Sequence, residues 1–227
     1  MLIVGVCGGS GSGKSTLVAA LQRHLAAFAG VAILPLDAYY RSLPPSHDPA
    51  HRNFDDPRAL DLALVRRHLD QARRHPQRPL RLPRYDFAHH RRLSTPTLLA
   101  MDAVEILLVE GVLLFADARL RRSLDVRVFV DCPVDLRFIR RLQRDVRERG
   151  RTPEGVIQQY LATVRPMDAI HVAPQRKWAH AIVKSEGSLD QLDRQAARLA
   201  RQLLRRAQAR QGRRPVAPVT VKPHAPE

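Results

Sequence analysis

Apolar residues fall along this chain in two alternating rhythms. Short runs rich in β-branched and aliphatic residues, LIVGVC (2–7), VAILPL (31–36), EILLVE (105–110), VRVFVD (126–131) and AHAIVK (179–184), recur between longer stretches whose apolar positions step by three and four. The longer stretches cover 14–28, 58–74, 134–149, 153–172 and 188–210. Runs that are apolar at successive positions suit strands buried on both faces, and helix-length segments between them suit crossovers. The pattern predicts an α/β fold, a doubly wound parallel sheet with helices on both faces. In the last stretch Leu189, Leu192, Ala196, Leu199 and Leu203 form one face of an amphipathic helix, suited to packing on the sheet.

Two segments interrupt the alternation. SLPPSHDPAHRNFDDP (42–57) is polar and proline-rich, and 76–99 carries short strand-like pieces around PRYDFAHHRR. Loops this long in a compact domain are usually functional or disordered, and both are expected to be functional insertions. From Gly212 to Glu227 there are four prolines and no apolar period. A disordered tail is expected there, after a single domain over 1–211.

Composition narrows the class. With 227 residues and 44% of them hydrophobic, the chain can bury one sizeable α/β core. The formal charge of +16 comes mainly from arginines spread in ones and twos. It suits a polyanionic partner, whether nucleic acid, membrane phosphate or nucleotide phosphate, and equally a surface of solvated arginines. Cys7 and Cys132 each sit alone in an apolar run, which excludes a CxxC redox or zinc site and reads as two small core residues in a reducing compartment. There is no signal-like start and no run of about 18 apolar residues, so a cytoplasmic chain without a membrane anchor is expected.

The chemistry begins at GVCGGSGSGKSTLV. Four of the eight residues from Gly8 to Ser15 are glycine, and Gly8, Gly13, Lys14 and Ser15 fit G-x-x-x-x-G-K-[ST] between an apolar strand and a helix bearing Leu17, Leu21 and Leu25. Such a loop, here Gly8, Gly9, Ser10, Gly11, Ser12 and Gly13, lets backbone amides approach a phosphate, and the helix start at Lys14, Ser15 and Thr16 adds partial positive charge. Lys14 is expected to reach the β- and γ-phosphates of a nucleoside triphosphate, and the Ser15 hydroxyl to ligate Mg²⁺. A guanine-specific switch commonly carries N-K-x-D, yet the one asparagine is Asn53 in RNFDDP. The signature LSGGQ of transporter ATPases is absent as well.

GGSGSGKST, LDAYYR, NFDDPRALD, PRYDFAHHRR, EGVLLF and RRLQRDVRERGRTPEGVIQQY occur in that order from the first strand to about Val183. The chain resembles the uridine kinase (uridine-cytidine kinase) family, in the group that includes phosphoribulokinase and bacterial pantothenate kinase. The first motif is widely shared, and the others together are specific. The resemblance implies a P-loop nucleoside kinase architecture, with a small substrate-binding insertion and an arginine-bearing lid at about 137–160. It implies ATP-dependent phosphorylation of uridine, and of cytidine, at the ribose 5′-hydroxyl, with Mg²⁺, in an enzyme whose relatives often form tetramers.

Residue by residue, the resemblance makes Asp37 the group that orients the 5′-hydroxyl and accepts its proton, a role that needs a carboxylate near that oxygen. A cap after the strand is the structural alternative. Tyr40 is expected to line the acceptor site or simply to pack. Glu110 ends a strand too apolar to hold an unpaired charge, so it should meet a cation or water; the resemblance makes it a holder of Mg²⁺ with Ser15 and Asp37. Asp55 matches the carboxylate that grips ribose hydroxyls, and Tyr85 and His90 match residues that contact the pyrimidine. Arg137, Arg141 and Arg144 share a helix face. In the lid reading Arg141 and Arg151 serve the nucleoside, Arg144 and Arg149 the phosphates, and Gln159 the base. His180 stands where similar kinases carry an acid and is expected to affect packing. The rivals are a phosphoribulokinase-, pantothenate kinase- or nicotinamide riboside kinase-like enzyme and, from another class, a nucleic-acid-binding ATPase. The latter should interleave aromatics with its arginines, yet aromatics make up 5% of the chain.

Overall fold

The computed structural model describes residues 1–43, 53–87, 89–210 and 212. The proline-rich stretch 44–52 and the expected tail beyond Gly212 therefore lie outside the described residues. Five strands, β1 (Leu2–Cys7), β2 (Gly30–Pro35), β5 (Val104–Glu110), β6 (Val126–Asp131) and β7 (Ala181–Lys184), form one parallel sheet in the order β2-β5-β1-β6-β7. Their order and direction match the doubly wound architecture expected from the apolar runs. The segment at 76–99 forms more than strand-like pieces: β3 (Leu80–Asp86) and β4 (Arg91–Leu99) pair as an antiparallel hairpin outside the main sheet.

Strand periodicity splits the core in two. Leu2, Val4 and Val6 of β1, with Ile106 and Leu108 of β5, pack beneath α1 (Lys14–Ala26) and the C-terminal helix α7 (Leu189–Arg210). Leu17, Leu21 and Leu25 there meet Leu192, Ala196, Leu199 and Leu203, all buried, as the three-and-four spacing predicts, while Leu189, expected on the same face, is exposed at the first residue of the helix. Ile3, Cys7, Leu107 and Val109 point to the opposite face, under α2 (Leu62–Arg74), α3 (Ala118–Arg122) and the hairpin. The expected helix at 58–74 begins later: Pro57–Ala59 is a 3₁₀ turn, and Asp61 caps α2 through the Leu64 amide at 3.0 Å.

The C-terminal third is less regular than its sequence suggests. The α-helix α4 (Val134–Arg149) stops at Gly150, whose φ of 62° lies in the left-handed region that a terminating residue must adopt. Thr152 then caps α5 (Pro153–Gln159). The helix expected over 153–172 is present without a break in helical backbone, but its hydrogen bonding changes along its length after α5. A π turn (Tyr160–Val164), the short α6 (Arg165–Met167), a second π turn (Asp168–Val172) and a 3₁₀ segment (Ala173–Trp178) follow one another. His180 lies against β6, where its Nδ1 accepts the Arg127 amide at 3.2 Å and its Nε2 faces the Arg127 guanidinium.

The 3₁₀ segment delivers Gln175, 2% exposed, to the underside of the sheet edge. Its Oε1 accepts the Phe115 amide at 2.6 Å and the Cys7 thiol at 3.1 Å. Its Nε2 donates to the carbonyls of Val112 at 2.8 Å and His171 at 2.7 Å. One side chain thus ties the ends of β1 and β5 to the irregular segment, and burial pushes the Cys7 thiol pKa up to about 12. Gln175→Leu should leave buried amide and carbonyl groups unpaired at about 1–3 kcal/mol each. Even at the low end, about 3 kcal/mol for the three groups, a melting temperature lowered by at least roughly 6–12 °C is the expected result, read by thermal unfolding, and a shift below about 2 °C would remove Gln175 from this role.

Candidate active site

The glycine-rich loop turns between β1 and α1. Gly11, at φ 76°, places its Cα against the backbone of α4, where an added Cβ would run into the Arg137 carbonyl. The Ser12 amide closes on the Gly9 carbonyl at 3.1 Å, and Lys14 Nζ donates to the same carbonyl at 3.2 Å. Lys14 is thus folded over the loop, held where an incoming phosphate would compete for it. Burial lowers its pKa, against the opposing pull of Asp37, Cys7 and Glu110. Ser10, Lys14 and Ser15 open into a cavity of about 610 Å³; Gly8, Gly9, Gly11, Ser12, Gly13 and Thr16 form the turn and helix start beneath it.

Two strand ends deliver carboxylates to the same cavity. Asp37 lies just beyond β2, in the first turn of a 3₁₀ helix (Leu36–Tyr39), rather than at the end of the strand itself. Glu110 ends β5, paired with Val6 and Pro35 across the sheet. The Ser15 hydroxyl lies 3.4 Å from Glu110 Oε1, while Glu110 Oε2 is buried with no hydrogen-bond partner among the described residues. Burial raises the Glu110 pKa, with Lys14 opposing and Asp37 reinforcing the rise. Among the described residues no three His, Cys, Asp or Glu side chains cluster as a metal cage. Mg²⁺ does not need one, since it commonly takes one or two carboxylates together with substrate phosphates and waters. Ser15, Asp37 and the orphaned Glu110 oxygen fit it.

The opposite wall is aromatic. Tyr40, Phe54, Phe87 and His90 line the cavity around Asp55, which is 9% exposed. Ring centroids lie 5.1 Å apart for Tyr40 and Phe54, and 5.4 Å apart for Phe54 and His90. Tyr85 stands behind this wall, 5.5 Å from Tyr40 and 4.9 Å from Phe87, and does not line the cavity. His90 is held at φ 51°, a left-handed turn that separates it from His89, which pairs with Asp86 at 2.7 Å. Sequence reasoning missed Phe54 and Phe87 and also Arg92. The Arg92 guanidinium donates to the carbonyls of Tyr40 at 2.7 Å and Tyr39 at 2.8 Å, and so clamps the hairpin to the turn that carries Asp37. The only signal for it was its place in PRYDFAHHRR.

The lid arginines divide. Arg141, Arg144, Arg149 and Arg151 all reach the cavity. Arg141, 8% exposed, donates to Ser10 Oγ at 3.1 Å and to Gln159 Oε1 at 2.9 Å; Arg151 donates to the same Gln159 oxygen at 2.6 Å. Gln159 is therefore brought to the site together with both arginines grouped with it in the sequence. Arg137, on the same helix face, goes elsewhere: it makes a two-pronged pair with Asp168 at 2.7 and 3.0 Å, beside Gly9, and borders a second cavity of about 380 Å³.

A phosphate loop between a central parallel strand and its helix, faced by two carboxylates and four arginines across one cavity, defines a P-loop phosphotransferase. Comparison with known proteins gives the particular group. The chain belongs to the phosphoribulokinase / uridine kinase family, whose family model matches residues 3–190. It is 39% identical over 208 residues to a uridine kinase of Leuconostoc citreum, covering 88% of this chain and 97% of the relative. It is 43% identical to a uridine kinase of Chloroflexus aggregans, covering 82% and 88%. The fold is also that of phosphoribulokinase from Rhodobacter spheroides, with a TM-score of 0.59, 15% identity and coverage of 81% and 69%.

The buried Asp55 gives a pH signature. Burial raises its pKa, and Arg141 is the main charge opposing the rise. A carboxyl whose pKa rises on folding contributes stability that is full below its unfolded pKa and is lost as pH rises through the folded one. Asp55→Asn should therefore melt higher than the native chain at pH 7, by roughly 2–4 °C if about 1 kcal/mol is recovered. The difference should shrink as pH falls towards 4. An equal or larger gain at low pH would contradict a desolvated carboxylate.

Proposed function

We propose that the chain is a uridine kinase, transferring the γ-phosphoryl group of ATP to the 5′-hydroxyl of uridine, and of cytidine, in pyrimidine nucleoside salvage. The observation that carries this reading is the aromatic wall around the buried Asp55, facing Lys14 across one cavity. A flat apolar face suits a base, and a carboxylate suits the two adjacent ribose hydroxyls as a bidentate acceptor. The relatives named above as uridine kinases support the same acceptor.

In this reading the glycine loop and Lys14 hold the triphosphate, whose purine end has room in the second cavity, bordered by Gly9 and Arg137. His90 and Tyr40 contact the base and sugar, and Tyr85 supports them from behind. Asp37 orients the 5′-hydroxyl and takes its proton as the oxygen bonds to the γ-phosphorus. The bond from that phosphorus to the β–γ bridging oxygen breaks, and ADP leaves with the electron pair. When bound, Mg²⁺ supplies charge neutralisation at the β- and γ-phosphate oxygens, and Ser15, Asp37 and Glu110 are the residues that would hold it. Arg144 and Arg149 face the phosphates, whose spread-out charge suits planar guanidinium groups. Arg141, Arg151 and Gln159 close over the nucleoside and exclude water as a competing acceptor.

Among the described residues no helix is long and apolar enough to cross a membrane, and both cysteines are free and buried. These features agree with work in the cytoplasm. A homo-oligomer, tetrameric as in similar kinases, completes the reading.

Two experiments test it. In a coupled ADP-release assay over uridine, cytidine, pantothenate, ribulose 5-phosphate and nicotinamide riboside, turnover is expected with the pyrimidine nucleosides; turnover confined to any other acceptor would falsify the assignment. Asp37→Ala should lower kcat by at least about 10²-fold, the lower range for general-base catalysis, with ATP binding retained by calorimetry. Normal turnover in that variant would take the proton-accepting role from Asp37.

A further inference from the structure

Behind the arginine wall sits a carboxylate that the catalytic reading does not use. Asp145, in the RRLQRDVRERGR stretch of α4, is 0% exposed and does not line the cavity. Arg144 reaches its Oδ1 through Nε at 2.9 Å and Nη2 at 2.8 Å, and Arg149 approaches the same oxygen at 3.4 Å. Arg141 Nε and Arg151 Nη1 lie 3.6 and 3.9 Å from its Oδ2. These are the same four arginines that line the cavity in front. Local geometry brings them together. Arg141 and Arg149 stand one turn to either side of Asp145, and the left-handed Gly150 reverses the chain so that the Arg151 amide bonds the Asp145 carbonyl at 3.1 Å.

An ordinary i,i+4 helix pair is solvated and contributes little. Here the carboxylate is fully buried, its Arg141 partner is nearly so, and the pair is under-satisfied: Asp145 Oδ2 and Arg141 Nε face each other beyond hydrogen-bond distance, and neither has another hydrogen-bond partner among the described residues. A single negative charge also cannot balance four positive ones, so the wall remains electropositive towards the cavity. Holding four guanidinium groups side by side costs repulsion and rotamer entropy, which one central anion reduces.

We propose that Asp145 is the positioning residue of this lid: its carboxylate stands in for phosphate, ordering the four arginines before a polyphosphate arrives, so that Arg144 and Arg149 are set to take it while Arg141 and Arg151 stay bonded to Ser10 and Gln159 on the nucleoside side. This rests on the lid reading given under the proposed function. Asp145 touches no reacting atom, and its effect passes through the arginines. Its removal should therefore separate two quantities that a merely structural residue would damage together. Without the internal counter-charge the arginines should hold an external polyanion at least as tightly, yet in poorer geometry for transfer.

The test is Asp145→Asn in the full-length chain at low ionic strength. Calorimetric titration with inorganic tripolyphosphate and Mg²⁺ should give equal or tighter binding than the native chain, while kcat with ATP and uridine falls at least tenfold. Asp145→Glu, which keeps the charge, should recover part of that rate. Weaker tripolyphosphate binding together with lower kcat, or an unchanged kcat, overturns the proposal. If Asp145→Asn does not fold, Asp145→Glu decides: a shift of the charge by one methylene should lower kcat severalfold with tripolyphosphate affinity kept, and native kinetics would overturn the proposal. The titration contains no acceptor, so a native chain that binds tripolyphosphate but does not turn over uridine would count against the assigned acceptor and leave the anion-binding comparison intact.

Discussion

Parallel pairing is the constraint on which the site depends. With all five strands running the same way, the segments that follow β1, β2 and β5 must leave the sheet along one edge. Register then sets their depth, because Val6 and Pro35 both pair with Glu110. The glycine loop, the turn bearing Asp37 and the end bearing Glu110 therefore emerge side by side, without any side-chain network having to find them. Strands buried on both faces make this edge rigid, and that rigidity lets a loop of poorly restrained glycines hold a fixed shape above it. A shift of β5 by one residue would turn Glu110 to the other face and break the pairing of carboxylate and loop.

The cavity built on that edge is electrostatically incomplete. Burial pushes Lys14 towards neutrality, pushes Glu110 and Asp55 towards protonation, and lowers the pKa of Arg141 against the pull of Asp55 and Asp145. Each shift says that the charged form lacks the solvation it would have in water. A bound polyphosphate with its cation would supply opposite charge to both sets at once. Hydrogen bonds close by hold the surrounding backbone in place: Gln175 under the strand ends, and the Arg92 guanidinium on the Tyr39 and Tyr40 carbonyls at the acceptor turn.

How much of this was legible in the sequence follows from the range of each interaction. The five strands and the helices on α1 and α7 were legible because burial on both faces writes itself into successive residues. The glycine loop, Asp37 and Glu110 were legible because motif and strand end fall together, and Asp55 through the resemblance of NFDDP; the structure brings Ser10, Lys14 and Ser15 of the loop and all three carboxylates to one cavity. Gln175 was not, since its partners lie as far away as Cys7 and Phe115 and a lone glutamine in APQRKW carries no pattern. Arg137 was grouped with Arg141 by helix spacing; spacing gives a face but cannot see that Asp168 waits at one end of it. The helix over 153–172 was legible, but its changes between α and π hydrogen bonding were not, because π and α turns bury nearly the same positions and only the hydrogen bonds tell them apart.

The basic excess looks different once its partners are known. Asp125 alone receives Arg73 and Arg210 and also accepts the Ile3 amide, so one carboxylate ties α2, α7 and β1 together. Other arginines end on backbone carbonyls: Arg121 on Phe115 at 2.6 Å, Arg127 on Trp178 at 2.6 Å, Arg140 on Ser185 at 2.8 Å. A guanidinium has five donors in a fixed fork, which lets one side chain satisfy loop acceptors that neither helix nor strand can reach. An irregular C-terminal third needs many such donors, and each carries a positive charge whether or not charge is what the loop requires. Net charge therefore sums two uses of arginine that physics keeps apart. Among the described residues the arginines that line the cavity are Arg141, Arg144, Arg149 and Arg151, and their position, rather than the total of +16, is what bears on a polyanionic ligand there.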